Sequence, residues 1–444
     1  PVLPTLRFPM TALHSGTTAL PASDASDLLR RRSAVLGPHT PMFYVDDPLQ
    51  IVSATGVRVT GSDGRVYLDA YNNVPHVGHC HPAVVEAITR ALSTVNVHSR
   101  YLTDTPIAYA EALLSRFPRS LDRMFFTNSG SEANDLALRM AHFHTGHSGI
   151  LISDHSYHGN TQAMAAVTTG LPKSGPLGDH VRTFTAPDTR GSTLSLADAL
   201  AQIDAAIADL ERSGHGLSAL LFDPLFSTEG LPDLPEGYID GLCARVHKAG
   251  GVVICDEVQS GFGRTADHMW GFQCAGFLPS MVVLGKPMGN GFPLGGVIAP
   301  AEIVEPFSAG NTYFNTFATT PAAAAAGHAV LTVMDREGLL ERAQAASALF
   351  EKGFHDLVDG DDRLTGVRGT GMFMGMQFVD AATGEPDGPT AKAVVDAMRV
   401  NGVLIGRIGR HDEVLKIRPP LAFGVEDVSI ALDAFATSLQ QIRR

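Results

Sequence analysis

Two charged side chains stand where apolar runs end, and their pairing suggests a specific chemistry. Asp256 closes the run Val252-Val253-Ile254-Cys255-Asp256, and Lys286 follows Met281-Val282-Val283-Leu284-Gly285. Runs of this kind, the first rich in β-branched residues, predict buried parallel strands. A carboxylate carried into a core at a strand end is costly unless a cation or strong donor meets it. The lysine opens a Gly/Pro turn, Lys286-Pro287-Met288-Gly289-Asn290-Gly291. An amine and an anion on the ends of two core strands are what a pyridine aldehyde requires. The amine forms a Schiff base with the aldehyde, and the anion keeps the ring nitrogen protonated so that the ring accepts electrons. The pair predicts pyridoxal 5'-phosphate as cofactor.

The neighbouring motifs can be read against that cofactor. Phe126 to Asp135 reads as a strand, a Ser/Gly turn and a helix start. Ser-x-x-Glu here is the signature of a capping box. It is equally a phosphate cradle, because a helix start offers free N–H groups and glycine admits a close approach. Beside a Schiff-base lysine we adopt the cradle, with Ser129, Gly130 and Ser131 as donors. Tyr157, after the run ending at Ile152, offers a ring to stack on the cofactor, though core tyrosines look the same. His158 is placed to hydrogen-bond the ring or its surroundings. Asp256 and Glu257 alternate faces if the strand persists, so they do not form an acid/base pair. Gln259 is in reach of the cofactor's phenolic oxygen. Gly285-Lys286-Pro287 fails the P-loop pattern. His79-Cys80-His81-Pro82 lacks the spacing and partners of a metal site, so no metal is expected and the segment reads as a loop lining the pocket.

The elements that must position these residues fall into three zones, 1–75, 76–330 and 331–444. The first holds a helical pattern from Asp24 to Arg32, then strands at 51–54, 57–60 and 66–69, with Gly61-Ser62-Asp63-Gly64 as a hairpin turn. In the second, apolar strands at 123–127, 149–152 and 219–222 alternate with helical stretches, which predicts an α/β domain with a mostly parallel sheet. Ala322 to Ala326 reads as a tightly packed interior helix. The third mixes helices (339–357, 391–401) with strands (375–378, 414–417). It predicts a smaller α+β domain completed by the N-terminal segment.

The chain has 444 residues, 44% hydrophobic and 18% charged, which suits a folded protein of more than one domain. A formal charge of −13 argues against nucleic acid as a partner. Cys80, Cys243, Cys255 and Cys274 show neither zinc nor disulfide spacing and suggest a reducing compartment, the cytoplasm. Pro1-Val2-Leu3-Pro4 begins no recognisable signal peptide, and no apolar stretch reaches membrane-spanning length, so no membrane partner is expected.

Five motifs together resemble the class III aminotransferase family of pyridoxal-phosphate fold type I. They are Ser129-Gly130-Ser131-Glu132-Ala133, Tyr157-His158-Gly159, the run Asp256 to Arg264, Gly285-Lys286 and Asn315-Thr316-Phe317. The resemblance implies Lys286 as the Schiff-base lysine, Asp256 as the pyridinium partner, Tyr157 as the stacking ring and Gln259 as the phenolate contact. It gives the cofactor phosphate to Gly130 and Ser131, with Thr316 arriving from a neighbouring subunit. The active unit would then be a homodimer with sites at the subunit interface, or a tetramer built from it.

Three further stretches, Tyr71 to Pro82, His98 to Leu102 and Tyr313 to Phe317, look like the ethanolamine-phosphate phospho-lyase branch of that family. Ordinary members tend to carry glycines where Asn72 and Asn73 stand. The chain departs from the branch at Ala318-Thr319-Thr320 and at Arg418, and Asp223-Pro224 replaces a Glu-Pro pair. The resemblance implies elimination of phosphate from O-phosphoethanolamine or a close phosphorylated amine, giving acetaldehyde and ammonia. Such a lyase needs a second anion site. Arg410 and Arg418 are its candidates, ahead of Arg100 and Arg407, although each also reads as a surface or salt-bridged arginine. Asn72 is taken as a further substrate contact. The alternative is an ω-aminotransferase in which Arg418 holds a keto-acid carboxylate. A cofactor-binding protein without turnover is disfavoured, since both Lys286 and Asp256 are present.

Overall fold

Alternate residues of the central strands face opposite ways, and both ways are core. Ile150, Ile152, Val252 and Ile254 pack on one face of a sheet, while Leu151 and Val253 pack on the other. A sheet buried on both faces needs continuous apolar strands, which is what these sequences supply. The computed structural model describes residues 25–171, 175–190 and 194–443. Asp24 and Pro1 to Pro4, named in the sequence reading, lie outside them.

Seven strands form this sheet: β1 (Arg123–Thr127), β2 (Gly149–Ser153), β3 (Val181–Phe184), β4 (Leu217–Phe222), β5 (Val252–Asp256), β6 (Met281–Leu284) and β7 (Gly295–Ala299). Their order is β1-β7-β6-β5-β4-β2-β3. From β6 to β3 all neighbours are parallel. Strand β7 runs antiparallel to both β6 and β1. The mostly parallel α/β sheet predicted above is therefore present. One face is covered by the helix Gly130–Thr145 through Ala133, Leu136, Ala137, Met140 and Ala141. The other is covered by Leu196–Arg212, whose Ala199, Ile203, Ala206 and Leu210 recur at helical spacing, and by Tyr238–Lys248.

A smaller antiparallel sheet orders Leu364–Thr370, Phe373–Phe378, Val414–Lys416 and Gly406–Ile408 side by side. Helices Leu339–Asp359 and Gly388–Val400 stand where the apolar periodicity put them. Within Pro321–Arg336, Ala322, Ala323, Ala324 and Ala326 are buried, as an interior alanine run requires. Downstream, Arg418 N donates to Ala70 O at 2.8 Å and Leu421 N to His76 O at 2.7 Å. These bonds tie the C-terminal segment to the 70–76 loop.

By contact density the chain divides into two compact units, Pro1–Ser53 with Thr60–Val66, and Ala54–Val59 with Tyr67–Arg444. The described part of the first contains the helix Ala25–Leu36, which has no buried residue. It also holds the turn expected at 61–64, closed by Gly61 N to Arg65 O at 2.9 Å and Gly64 N to Gly61 O at 3.0 Å. Everything that follows concerns the second unit. No helix among the described residues is long and apolar enough to cross a membrane.

Candidate active site

The carboxyl ends of β5 and β6 meet because their register sets Asp256 opposite Val283, three residues before Lys286. Above them opens a cavity of about 320 Å³. Its wall includes Ser129, Gly130, Ser131, Asn134, Tyr157, His158, Asp223, Asp256, Gln259 and Lys286. Crevices at the carboxyl ends of parallel strands are the usual ligand sites of open α/β sheets.

Asp256 shares the strand parity of Val252 and Ile254, so its side chain points to the face covered by Gly130–Thr145. There Asn134 Nδ2 donates to Oδ2 at 2.9 Å, as does His158 Nδ1 at 2.8 Å, while Val258 N donates to Oδ1 at 3.0 Å. These three donors satisfy a carboxylate that is only 5% exposed. Glu257 turns the other way, as alternation predicted. It accepts from Gly271 N at 2.8 Å and Phe272 N at 2.7 Å, away from the cavity.

Lys286 has φ +34°, an uncommon backbone for a residue with a side chain. Burial, and then the charge of Arg418, bring its amine down to about 8, against the opposing pull of Asp256 and Asp223. The turn it opens ends at Asn290, itself left-handed at φ +48°. The Asn290 side chain clamps the 77–78 backbone, accepting from Val77 N at 2.9 Å and donating to Gly78 O at 3.0 Å.

At the helix start, Ser129 Oγ accepts from Glu132 N at 3.2 Å, so this hydroxyl does cap the helix. The N–H groups of Gly130 and Ser131 on the cavity wall have no protein acceptor among the described residues. Ser131 Oγ accepts from Asn160 N at 3.2 Å. Close approach explains Gly159: at φ +137° it passes so near that a Cβ there would lie 2.6 Å from Ser131 Oγ. The cap and the cradle thus coexist, one on a side chain and one on the backbone.

On the opposite side Gln259 and Asp223 line the wall, and two basic side chains, Lys416 and Arg418, stand behind Gln259. Gln259 Oε1 accepts from Lys416 Nζ at 3.2 Å and from Arg418 Nη1, and Gln259 Nε2 donates to Ser227 Oγ at 2.8 Å. Ser227 Oγ in turn donates to Asp223, whose carboxyl is pushed up by burial. Arg418 is 4% exposed, with its guanidinium 5.4 Å from the Tyr71 ring centre and 5.5 Å from that of Phe373. Behind it Arg264, fully buried, donates to Pro419 O at 2.6 Å, Met372 O at 3.0 Å and His76 Nδ1 at 3.4 Å. His76 Nε2 donates to Phe262 O at 2.6 Å, and burial together with Arg264 holds the imidazole down to about 3.

Several expected residues stand elsewhere. Asn72 Nδ2 donates to the buried Asp69 at 3.1 Å, and it is Val74 from this loop that lines the cavity. Arg410 is half-exposed, pairs with Asp154 and is absent from the cavity wall. Arg407 pairs with Asp412, and Arg100 lies 3.7 Å over the Phe314 ring. The 79–81 segment does not line the pocket: His79 donates to Asp69 at 2.7 Å, and His81 caps the helix Pro82–Leu92. No group of three or more potential ligands among the described residues could hold a metal. Thr316 is exposed, and its neighbour Asn315 is bonded to Asn128 and Glu132.

Sequence reasoning missed Asn134, Asp223, Ser227, Lys416, Arg264 and His76. Asp223 and Lys416 carry the signal that revealed Asp256, a charge at the end of an apolar strand. Asn134 is a lone amide on the alanine-rich face of its helix.

The donor set fits a pyridoxal phosphate. A primary amine, a buried carboxylate, an aromatic ring and two free helix-start N–H groups all face one cavity of suitable size.

Comparison with known proteins gives a consistent picture. The model of the aminotransferase class-III family matches residues 43–439. An ethanolamine-phosphate phospho-lyase homolog 1 from Caenorhabditis elegans is 35% identical over 470 residues, covering 98% of this chain and 99% of that protein. An alanine–glyoxylate aminotransferase 2-like protein from Drosophila melanogaster is 35% identical over 432 residues, covering 94% and 87%. Among solved structures, a phospholyase from Arthrobacter in complex with phosphoethanolamine superposes with a TM-score of 0.91 at 51% identity, covering 93% of this chain and 99% of that one.

Proposed function

This chain belongs to the class-III aminotransferase family, and from that premise we propose that it is a pyridoxal-phosphate-dependent phospho-lyase. Its substrate is O-phosphoethanolamine or a close phosphorylated amine, and its products are acetaldehyde, ammonia and phosphate. Dependence on pyridoxal phosphate is a property of the family. The observation that carries the substrate reading is the likeness, at 51% identity over nearly the whole chain, to a phospholyase that binds phosphoethanolamine. The buried pair Lys416 and Arg418 beside the cavity supports it, because expelling phosphate requires cations where the negative charge develops.

In this reading Lys286 would carry the cofactor, and Asp256 would keep a proton at the ring nitrogen. Tyr157 would stack on the ring, with Gln259 on the phenolic side and His158 holding Asp256. Gly130 and Ser131 would receive the phosphate on their backbone N–H groups, next to the Ser129 cap. When bound, pyridoxal phosphate supplies an electron sink for negative charge on the carbon next to the substrate nitrogen. The Lys286 amine, lowered to about 8, removes the proton from that carbon. The C–O bond to phosphate on the adjacent carbon then breaks, and phosphate leaves with the electron pair toward Arg418 and Lys416. Hydrolysis of the remaining two-carbon amine releases acetaldehyde and ammonia. Asn72, held by Asp69, and Arg410, paired with Asp154, lie off the cavity wall and are given no substrate contact in this reading.

Thr316 is exposed rather than on its own cavity wall, which supports its reaching the cofactor phosphate of a second copy in a homodimer. The four free cysteines suit a reducing compartment. The separate central and C-terminal sheets support the division between a cofactor-binding region at 76–330 and a small domain containing 331–444, while the assignment of 1–75 to that small domain rests on the sequence pattern.

The test is an assay of cofactor-loaded protein with phosphoethanolamine and no keto acid. Inorganic phosphate and acetaldehyde should appear in equal amounts. Absence of both would remove the reading. Alanine formed only when pyruvate is added would favour aminotransfer instead, the activity that the Drosophila relative's name carries.

A further inference from the structure

We propose that Lys416 is a proton-coupled receptor for the substrate's phosphate, uncharged beside Arg418 until a phosphate dianion enters and protonated once it has. This rests on the phospho-lyase reading above.

The geometry around the amine carries the argument. Lys416 ends the strand Val414–Lys416 and is 9% exposed. Its one hydrogen bond among the described residues goes to a neutral acceptor, Gln259 Oε1 at 3.2 Å, whereas an ammonium has three protons to place. The groups facing it from each packed element are few. Arg418 follows on its own segment, Lys286 comes from the turn after β6, and Asp223 comes from the end of β4. Gln259 and the Phe373 ring, 5.5 Å from Nζ, carry no charge. Arg264, Tyr71 and Asp69 act on Arg418 rather than on Lys416. No carboxylate lies within ion-pair distance of Lys416 among the described residues. A guanidinium keeps its proton under these conditions, whereas a lysine amine is the group that yields. Burial, then Arg418 and Lys286, hold Lys416 well below the ordinary lysine range.

Gln259 is the link to the cavity. It lines the wall, and its one oxygen is shared by Lys416 and Arg418. A phosphate oxygen that enters beside Gln259, leaving that amide in place, gives Lys416 a dianionic partner and favours its charged form. Binding and proton uptake are then the same event, and the protonated amine is ready to donate to the departing oxygen. A carboxylate monoanion would reward the uptake less, so the device selects phosphate monoesters over keto acids.

The probe is sulfate, which exchanges no proton near neutral pH, titrated into the cofactor-loaded protein by calorimetry in two buffers of different protonation enthalpy. About one proton should be taken up per sulfate, and affinity should weaken by up to about tenfold per pH unit on the alkaline side. Lys416→Arg should bind sulfate with the uptake gone, and Lys416→Met should lose the uptake along with much of the affinity. The visible spectrum should stay unchanged. Uptake that persists in Lys416→Arg, wild-type binding without uptake, or no sulfate binding would each overturn the proposal. So would a spectral shift accounting for the whole uptake, which would move the proton to Lys286. Phosphate release from phosphoethanolamine without linked uptake defeats only this inference. Failure to release phosphate defeats the functional reading, whatever calorimetry shows.

Discussion

The two sides of the cavity obey opposite rules. Around Asp256, the charge is already answered by Asn134, His158 and Val258, all fixed by the central sheet and its covering helix. Around Arg418, two basic side chains share one neutral amide oxygen. Tyr71 is hydrogen-bonded to the guanidinium, and Asp223 and Asp69 attract it from beyond ion-pair distance. Arg264 behind them is answered by carbonyls and an imidazole. The first side is a finished electrostatic environment that holds its charge in one place. The second is an unbalanced one that is completed by what enters. A residue on the finished side should therefore govern the cofactor, and one on the unfinished side the substrate.

The largest effect that can break this contrast lies at Lys286. Lys286→Ala should abolish the visible chromophore of the loaded protein and lower phosphate release by at least about a thousandfold. Sulfate affinity should hardly change, and loss of both would show that the sides are not separable. Next comes Arg418→Gln. Removing a charge-assisted contact worth about 1.5–3 kcal/mol should cut kcat/KM for phosphoethanolamine by about tenfold to a hundredfold. The chromophore should stay intact, and an altered spectrum would break the contrast from the other side.

Smaller effects test how the cationic side is held. His76 is neutral in the fold, with its proton on Nε2 and Nδ1 accepting from Arg264. Its folded value of about 3 lies below the ordinary 6.5, so its contribution is complete above 6.5 and is lost as pH falls toward 3. The loss amounts to at most roughly 1.4 kcal/mol per pH unit in that window. Denaturation midpoints should fall more steeply with acid in the wild type than in His76→Gln; parallel curves would refute the assignment. The smallest change is Asn290→Gly, which keeps the left-handed backbone but deletes the clamp on Val77 and Gly78. It should cost about 1 kcal/mol of stability, read by thermal melting. Turnover should slow more than substrate affinity, because the clamp steadies the turn that carries Lys286.

The same contrast explains what could be read from the chain. Asp256, Lys286, Tyr157 and the Ser129–Ser131 turn sit at the ends of strongly apolar strands, where local pattern alone marks a charge or a turn as exceptional. The alternating strands and helices of the central sheet are legible for the same reason. The cationic side draws Gln259, Arg264, His76, Lys416 and Arg418 from segments that only tertiary packing brings together. Arg410 and Arg418 look alike as sequence, yet one pairs with Asp154 at the surface and the other is buried. Burial that depends on another segment leaves no trace in local periodicity. Asn72 illustrates the limit, since its amide is taken by Asp69, only three residues away.

The antiparallel seventh strand has a consequence for how the molecule is assembled. β1 pairs with β7 and with no other strand of its sheet, so it stays an unpaired edge until Gly295–Ala299 has emerged. The Ser129–Ser131 turn, although encoded early, thus locks into place late, after the parallel strands have formed. Contacts so distant along the chain are slow to close. Nascent or truncated chains ending before Gly295 should display a sticky strand and depend on chaperones, whatever the quality of the rest of the core.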